Sequence, residues 1–287
     1  MYQYLGGCIS RIPLEKSGLF ASSAPSSLAF AFTAPEVLNS RQDASHPHHI
    51  IPFGDQEYWV PDLGGDRVWH VRWREGWEVV AGVVCEGGSG PRHGVIHPDG
   101  EPPAHIKYPN FAHAPAPGSH LYIVNELSST LSTFDLGTCP PTLLPESPST
   151  LPPTLAVTAQ TSRGGPYEMI ACAIVLLTSP SGRHRVLVSN RDIPASLSPD
   201  GDMLAEFSLE ALIPAGPKFL FGFGSHPRGV QVDPEGKRVA VLSRGGGGLT
   251  MLDVGEELRK IDLLEGWGSD VLDRPVCAAW VDEGALE

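Results

Sequence analysis

The chain is short of charge, of basic runs, of paired cysteines and of long apolar stretches, and each shortage removes a class of protein. Charged residues make up 18% of its 287 positions, below the roughly 25% usual in globular domains. The 20 Lys and Arg are outnumbered by 33 Asp and Glu, giving a net charge of −13. With no Lys/Arg run anywhere, neither nucleic acid nor an anionic membrane surface is expected as a partner. The five cysteines, Cys8, Cys85, Cys139, Cys172 and Cys277, are scattered, odd in number and free of any Cys-x-x-Cys pair. That pattern fits reduced thiols in a cytoplasmic protein better than a disulfide framework. No run reaches the roughly 18 apolar residues that cross a bilayer. The nearest approach, residues 18–35, is broken by Ser and Pro and starts too far from Met1 to read as a signal peptide.

Glycine (32) and proline (28) are abundant, which favours many short strands joined by tight turns over long helices. Self-similarity along the chain gives those strands an order. Four strand-like cores, "YWVPDLGGD", "LYIVNELSST", "VLVSNRD" and "VAVLSRGGGG", have reference valines at Val60, Val124, Val188 and Val241, spaced by 64, 64 and 53 residues. Each is followed by a second apolar run: "RVWHVRW", "TLSTFDL", "MLAEFSLE" and "LTMLDV". Three are preceded by a β-type stretch and a Pro-x-Gly turn, "HPDG", "SPSG" and "DPEG".

Strand, turn, strand, turn, strand is a meander. One meander cannot hide both of its faces, so the units must stack, and radial stacking gives a β-propeller. A β-sandwich with chance similarity is the competing arrangement. The expectation is an all-β, single-domain chain over residues 1–287, with loop insertions at 101–118 and 138–166 that lengthen the repeat beyond a minimal blade. The C-terminal "RPVCAAWVD" reads as a lone strand able to join a neighbour's sheet.

For chemistry, "HPHH" offers the His-x-His spacing of a zinc site, yet no further ligand set completes it, so no metal and no cofactor is expected. The "GGGG" at 245–248 lacks the Gly-Lys-Ser/Thr and helix start of a phosphate loop, and no Gly-x-Ser-x-Gly elbow is present. A set of residues at comparable places in successive repeats remains: His46, His48, Arg92, His93, Glu126, Arg191 and Arg228, with Arg244 as a weaker member. Each taken alone suits a solvated turn. Together, several guanidinium groups around one propeller mouth in an acidic chain form an anion trap, with a carboxylate and an imidazole available to move protons.

These phrases, with "HPHHI", "VPDLGGDRVW", "GSGPRHGVIHPDG" and "HPRGVQVDPEG" in this order from about residue 46 to 254, resemble the lactonase family of seven-bladed β-propellers. Its members include 6-phosphogluconolactonases and fungal carboxy-cis,cis-muconate cyclases. The resemblance implies a metal-independent site on the propeller axis with His48, Arg92, Glu126 and Arg191 as catalytic residues and His46, His93 and Arg228 as substrate contacts. About five of the seven blades are recognisable, most of the first two being missing, and Ala173 stands where the family often carries an acid. The implied activity is hydrolysis of a sugar lactone. The alternatives are lactone formation by a muconate cycloisomerase, and a shortened, non-catalytic propeller that binds without turnover. A small anionic lactone or carboxylate is the expected partner, and the oligomeric state is left open.

Overall fold

The computed structural model describes residues 1–35, 40–54, 56–97, 119–138, 140–155, 169–192, 202–211, 213–261, 272 and 274–281. Among them are five antiparallel sheets in chain order. The first has three strands, β1 (Tyr2–Gln3), β2 (Cys8–Arg11) and β3 (Ser26–Ala29). The second is β4 (Ile51–Pro52), β5 (Glu57–Asp62), β6 (Arg67–Trp73) and β7 (Trp77–Val84), and the third β8 (Pro91–His97), β9 (His120–Asn125), β10 (Thr130–Asp135) and β11 (Thr142–Leu143). The fourth is β12 (Met169–Thr178), β13 (His184–Asp192), β14 (Met203–Ser208) and β15 (Lys218–Leu220), and the fifth β16 (Ser225–Val232), β17 (Arg238–Gly246), β18 (Gly248–Val254) and β19 (Leu258–Ile261).

In every four-stranded sheet each strand is hydrogen-bonded to the next one along the chain. This is the up-and-down unit from which propellers are built. The four reference valines fall on β5, β9, β13 and β17, the second strand of each sheet, and the four following runs are the third strands. The five sheets equal the number of blades expected.

The chain divides into two compact units, residues 1–128 with 132–145, and 129–131 with 146–287. In the first unit, side-chain alternation along β5 explains the packing. Trp59 joins Val68, Ile96, Leu121, Ile123 and Phe134 between the second and third sheets. Its neighbour Val60 points the other way, to Ile9, Phe30 and Val71 between the first and second. In the second unit Val175, Leu177, Leu187 and Leu204 meet Val230, Val239, Val241 and Leu252 between the fourth and fifth sheets. Fully burying each such side chain stabilises by about 1.5–3 kcal/mol. A buried ion pair also serves this unit: Arg185 Nη1 lies 2.7 Å from Glu206 Oε1 and donates to the Glu256 carbonyl.

Two expectations are corrected. The segment after Gly137, read as part of a loop insertion at 138–166, supplies β11, the outer strand of the third sheet, and further on buries Thr150 and Leu151. Proline and serine density disguised two residues that need only pair along one edge. Residues 274–281, read as a strand, form none. Pro275 has no N–H to give a ladder, and Val276, Trp280 and Val281 stay exposed. The 101–118 insertion, Cys139 and the "HPDG" turn beyond His97 lie outside the described residues.

Candidate functional site

The histidine segment is held by the turn that follows β5. Asp62, fully buried, accepts hydrogen bonds from Ser45 Oγ (2.7 Å), the His46 amide (2.7 Å), the Gly65 amide (3.1 Å) and Trp69 Nε1 (3.1 Å). The backbone adds His48 N to Pro61 O at 2.9 Å and Leu63 N to His46 O at 3.0 Å. Gly64 makes the approach possible, because a Cβ there would stand 1.7 Å from the Ala44 carbonyl oxygen. The "VPDLGG" phrase is therefore the mount for "HPHH".

A second mount aims Arg92. The Asp66 carboxylate accepts from the Gly88 amide (2.6 Å), the Gly90 amide (2.8 Å) and Ser89 Oγ (3.3 Å), drawing the "GSG" turn tight. Burial pushes the Asp66 carboxyl up, with the Gly90 and Gly88 amides opposing. Beyond this turn the ladder between β8 and β9 slips, Pro91 pairing with Asn125 but His93 with Val124. Arg92 is thus the extra residue of a β-bulge, a device that redirects a side chain. The Glu126 amide donates to Gly90 O at 2.8 Å, bringing the carboxylate to the same spot.

There Glu126 is clamped between two guanidinium groups. Arg92 Nε lies 2.5 Å from Oε2 and Arg41 Nη1 2.6 Å from Oε1. The Arg92 and Glu126 side chains are 2% and 4% exposed, whereas Arg41 is 31% exposed, so Arg41 is the cation that solvent reaches. Arg92 Nη1 also sits 3.1 and 3.2 Å from the two ring nitrogens of His93. Around this clamp the aromatic rings cluster: His48 lies edge-on to His93 at 5.2 Å, His49 is 4.9 Å from His93, and Tyr4 stacks on His46 at 4.4 Å while meeting His48 at 5.3 Å.

The rings differ in what they can do. His46 Nδ1 faces the Tyr4 carbonyl at 2.9 Å and Nε2 faces Asp43 at 2.8 Å, so both ring nitrogens have protein partners. His49 is lowered to about 4 by burial and by the Arg92 charge; its Nδ1 accepts the Gly94 amide proton at 3.3 Å. Burial first, then Glu126, raises the Tyr4 phenol, which stays a proton donor at neutral pH.

The structure therefore brings His46, His48, Arg92, His93 and Glu126 together in the first unit. Arg191 and Arg228 belong to the second. Arg191 is buried on β13 opposite Ile170. Arg228 is half-buried on β16 between Pro227 and Gly229, where the ladder to β17 slips as it does at Arg92. The returning Pro-Arg phrase is a returning bulge. Sequence reasoning missed Arg41, Tyr4 and His49. Arg41 lies 85 residues from Glu126, and its one visible clue is a place in the segment that delivers "HPHH". Among the described residues no group of three His, Cys, Asp or Glu is arranged to hold a metal ion, and no helix is long and apolar enough to cross a membrane.

A family model described as lactonase, 7-bladed beta-propeller, matches residues 2–280. The chain is similar to a probable 6-phosphogluconolactonase of Arthroderma benhamiae, 26% identical over 254 residues that cover 86% of this chain and 56% of that one. It thus spans just over half the length of that relative. Two solved structures are similar in fold. One is a protein from Lactobacillus plantarum, with 21% identity, TM-score 0.69 and coverage of 96% of this chain and 68% of that chain. The other is the periplasmic gluconolactonase of Pseudomonas aeruginosa, with 22% identity, TM-score 0.62 and coverage of 94% and 67%.

Proposed function

The chain belongs to the lactonase family of seven-bladed β-propellers, and from that premise we propose that it hydrolyses a sugar lactone, in the manner of a 6-phosphogluconolactonase, at the Glu126 site. The observation that carries the reading is the carboxylate held by Arg41 and Arg92 beside an imidazole cluster. Clamped on both oxygens, Glu126 serves better to orient the two guanidinium groups than to take up a proton. The base is then His48.

In this mechanism His48 removes a proton from water as the oxygen attacks the lactone carbonyl carbon. Arg41, the solvent-facing member, donates to the oxygen on which negative charge develops. The ring C–O bond breaks, the leaving oxygen takes the proton back from the His48 imidazolium, and the product is the open hydroxy acid. Arg92 is a positioning residue that fixes Glu126 and His93. Arg191 and Arg228 enter the reading through the family resemblance, Arg228 as a phosphate contact. Lactone formation from a carboxymuconate would use the same proton carrier on another anionic substrate, and supports the same choice of residues.

The test is turnover of 6-phosphogluconolactone and, separately, of carboxymuconate, measured above the uncatalysed rate. The expected result is hydrolysis of the first, reduced by about 10²–10⁴ in His48→Ala and about 10²–10³ in Arg41→Ala. Loss in Arg191→Ala or Arg228→Ala would bring those residues into the site. A folded protein that turns over neither substrate sinks the enzymatic reading and leaves a binding module.

A further inference from the structure

The turn of the first sheet carries a side chain that the reaction above leaves unused. Tyr4-Leu5-Gly6-Gly7 repeats Asp62-Leu63-Gly64-Gly65, so Tyr4 takes in that phrase the place that Asp62 takes in the second sheet. Both Leu-Gly-Gly turns pack on the histidine segment. A Cβ on Gly7 would stand 3.1 Å from the Ser45 carbonyl oxygen, just as one on Gly64 would meet that of Ala44. The first sheet is therefore a further mount for "HPHH", and it delivers a phenol where the other delivers a carboxylate.

The Tyr4 ring is fixed from below and free at its tip. It lies flat on the His46 ring, the planes 9° apart, and meets the His48 ring at 73°. His46 faces the Tyr4 carbonyl with Nδ1 and Asp43 with Nε2, so its work is to back Tyr4 rather than to reach a ligand. The charges that act on the phenol are those of Glu126, Arg41, Asp43 and Arg92, three of which make up the clamp. Both Glu126 oxygens are already taken by guanidinium groups. Tyr4 is half-buried, and among the described residues its hydroxyl makes no hydrogen bond. A positioned hydroxyl thus stands beside the base His48 and the solvent-reached Arg41.

We propose that Tyr4 is a substrate contact whose phenol hydrogen-bonds a hydroxyl group of the lactone, so that the site prefers a polyhydroxylated lactone to the same ring stripped of its hydroxyls. The inference rests on the reading of the Glu126 site given above and adds to it the residue that tells one lactone from another. A phenol can donate to one hydroxyl and accept from a second. Because stacking on His46 already holds the ring, little side-chain freedom is lost on binding. A site built to bond a substrate hydroxyl disfavours the analogue that lacks it, since a protein group is then left unpaired. Water reaches the half-buried Tyr4, which keeps the preference modest.

The full chain is titrated calorimetrically with D-gluconate and with 5-hydroxyhexanoate, the open acids of glucono-1,5-lactone and δ-hexalactone. The two share a six-carbon chain and a carboxylate and differ in their hydroxyl groups. Gluconate binds the more tightly. Tyr4→Phe keeps the ring and its stacking, weakens gluconate binding about ten-fold and leaves the 5-hydroxyhexanoate heats as in the parent; kcat/KM for the two lactones shows the same split. Equal losses on both acids would mean that Tyr4 only shapes the site, and parent-like gluconate binding that its phenol does not touch the ligand. Either result overturns the proposal, as does a parent that binds no gluconate. Failure of the hydrolytic reading looks different: a chain that binds gluconate with this dependence on Tyr4, yet opens neither lactone, is a binding module that keeps the Tyr4 contact.

Discussion

The position two residues beyond each reference valine is buried in all four full sheets, and its chemistry separates the two units. In the first unit it is Asp62 and Glu126; in the second it is Asn190 and Ser243. Where the residue is a carboxylate, it gathers partners: Asp62 mounts the histidine segment and Glu126 binds two arginines. Where it is an amide or a hydroxyl, it bonds to uncharged groups: Asn190 Nδ2 donates to Thr150 O while its Oδ1 accepts from Thr150 Oγ1, and Ser243 Oγ donates to Phe223 O. The next residue is leucine in the first unit, Leu63 and Leu127, and arginine in the second, Arg191 and Arg244. The same frame position is thus followed by an apolar residue in the first unit and by a cation in the second.

Replacing Glu126 by the fifth sheet's residue, Glu126→Ser, breaks that difference most severely. Arg92 would be left buried without its counter-charge, an arrangement that costs about 3–5 kcal/mol, read as a lower urea midpoint. Gly64→Ala comes next. Its Cβ would collide with the Ala44 carbonyl, and forcing in an atom of this kind costs about 1–3 kcal/mol. The collision also displaces the histidine mount, so lactone turnover falls together with stability.

Acid separates the units more gently. The folded pKa of His49 is about 4 against an ordinary 6.5, so between those values the unfolded chain binds the extra proton. Stability conferred by keeping this ring neutral is present above pH 6.5 and is lost as pH falls toward 4. After allowance for its partial exposure the loss is on the order of 1 kcal/mol. His49→Gln flattens the urea midpoint across that window. The smallest effect is expected at the exposed Arg183–Glu256 pair of the second unit: Arg183→Ala leaves the midpoint where it was. A large loss there would show that surface pairs matter as much as the buried clamp.

The strand cores, the runs after them and the two Pro-x-Gly turns that lie among the described residues were legible because alternation and turn chemistry are local signals. So was the grouping of His48, Arg92 and Glu126, through their repeated places. What escaped depended on distance or on the edge of a sheet. Arg41 meets Glu126 across 85 residues of chain, and no local pattern records that meeting. β11 pairs two residues, too few for a period to show. "RPVCAAWVD" had the apolar content of a strand, but its second residue is a proline with no amide to give a ladder.

Trp59 and Val60 stand side by side and serve opposite neighbours. A single-residue deletion within β5 would therefore trade their allegiances, sending an indole into space shaped for a valine and a valine into space shaped for an indole. Point substitutions here are repairable by local adjustment; a change of count is not. Length, more than identity, is the property of this strand that descendants of the gene must keep.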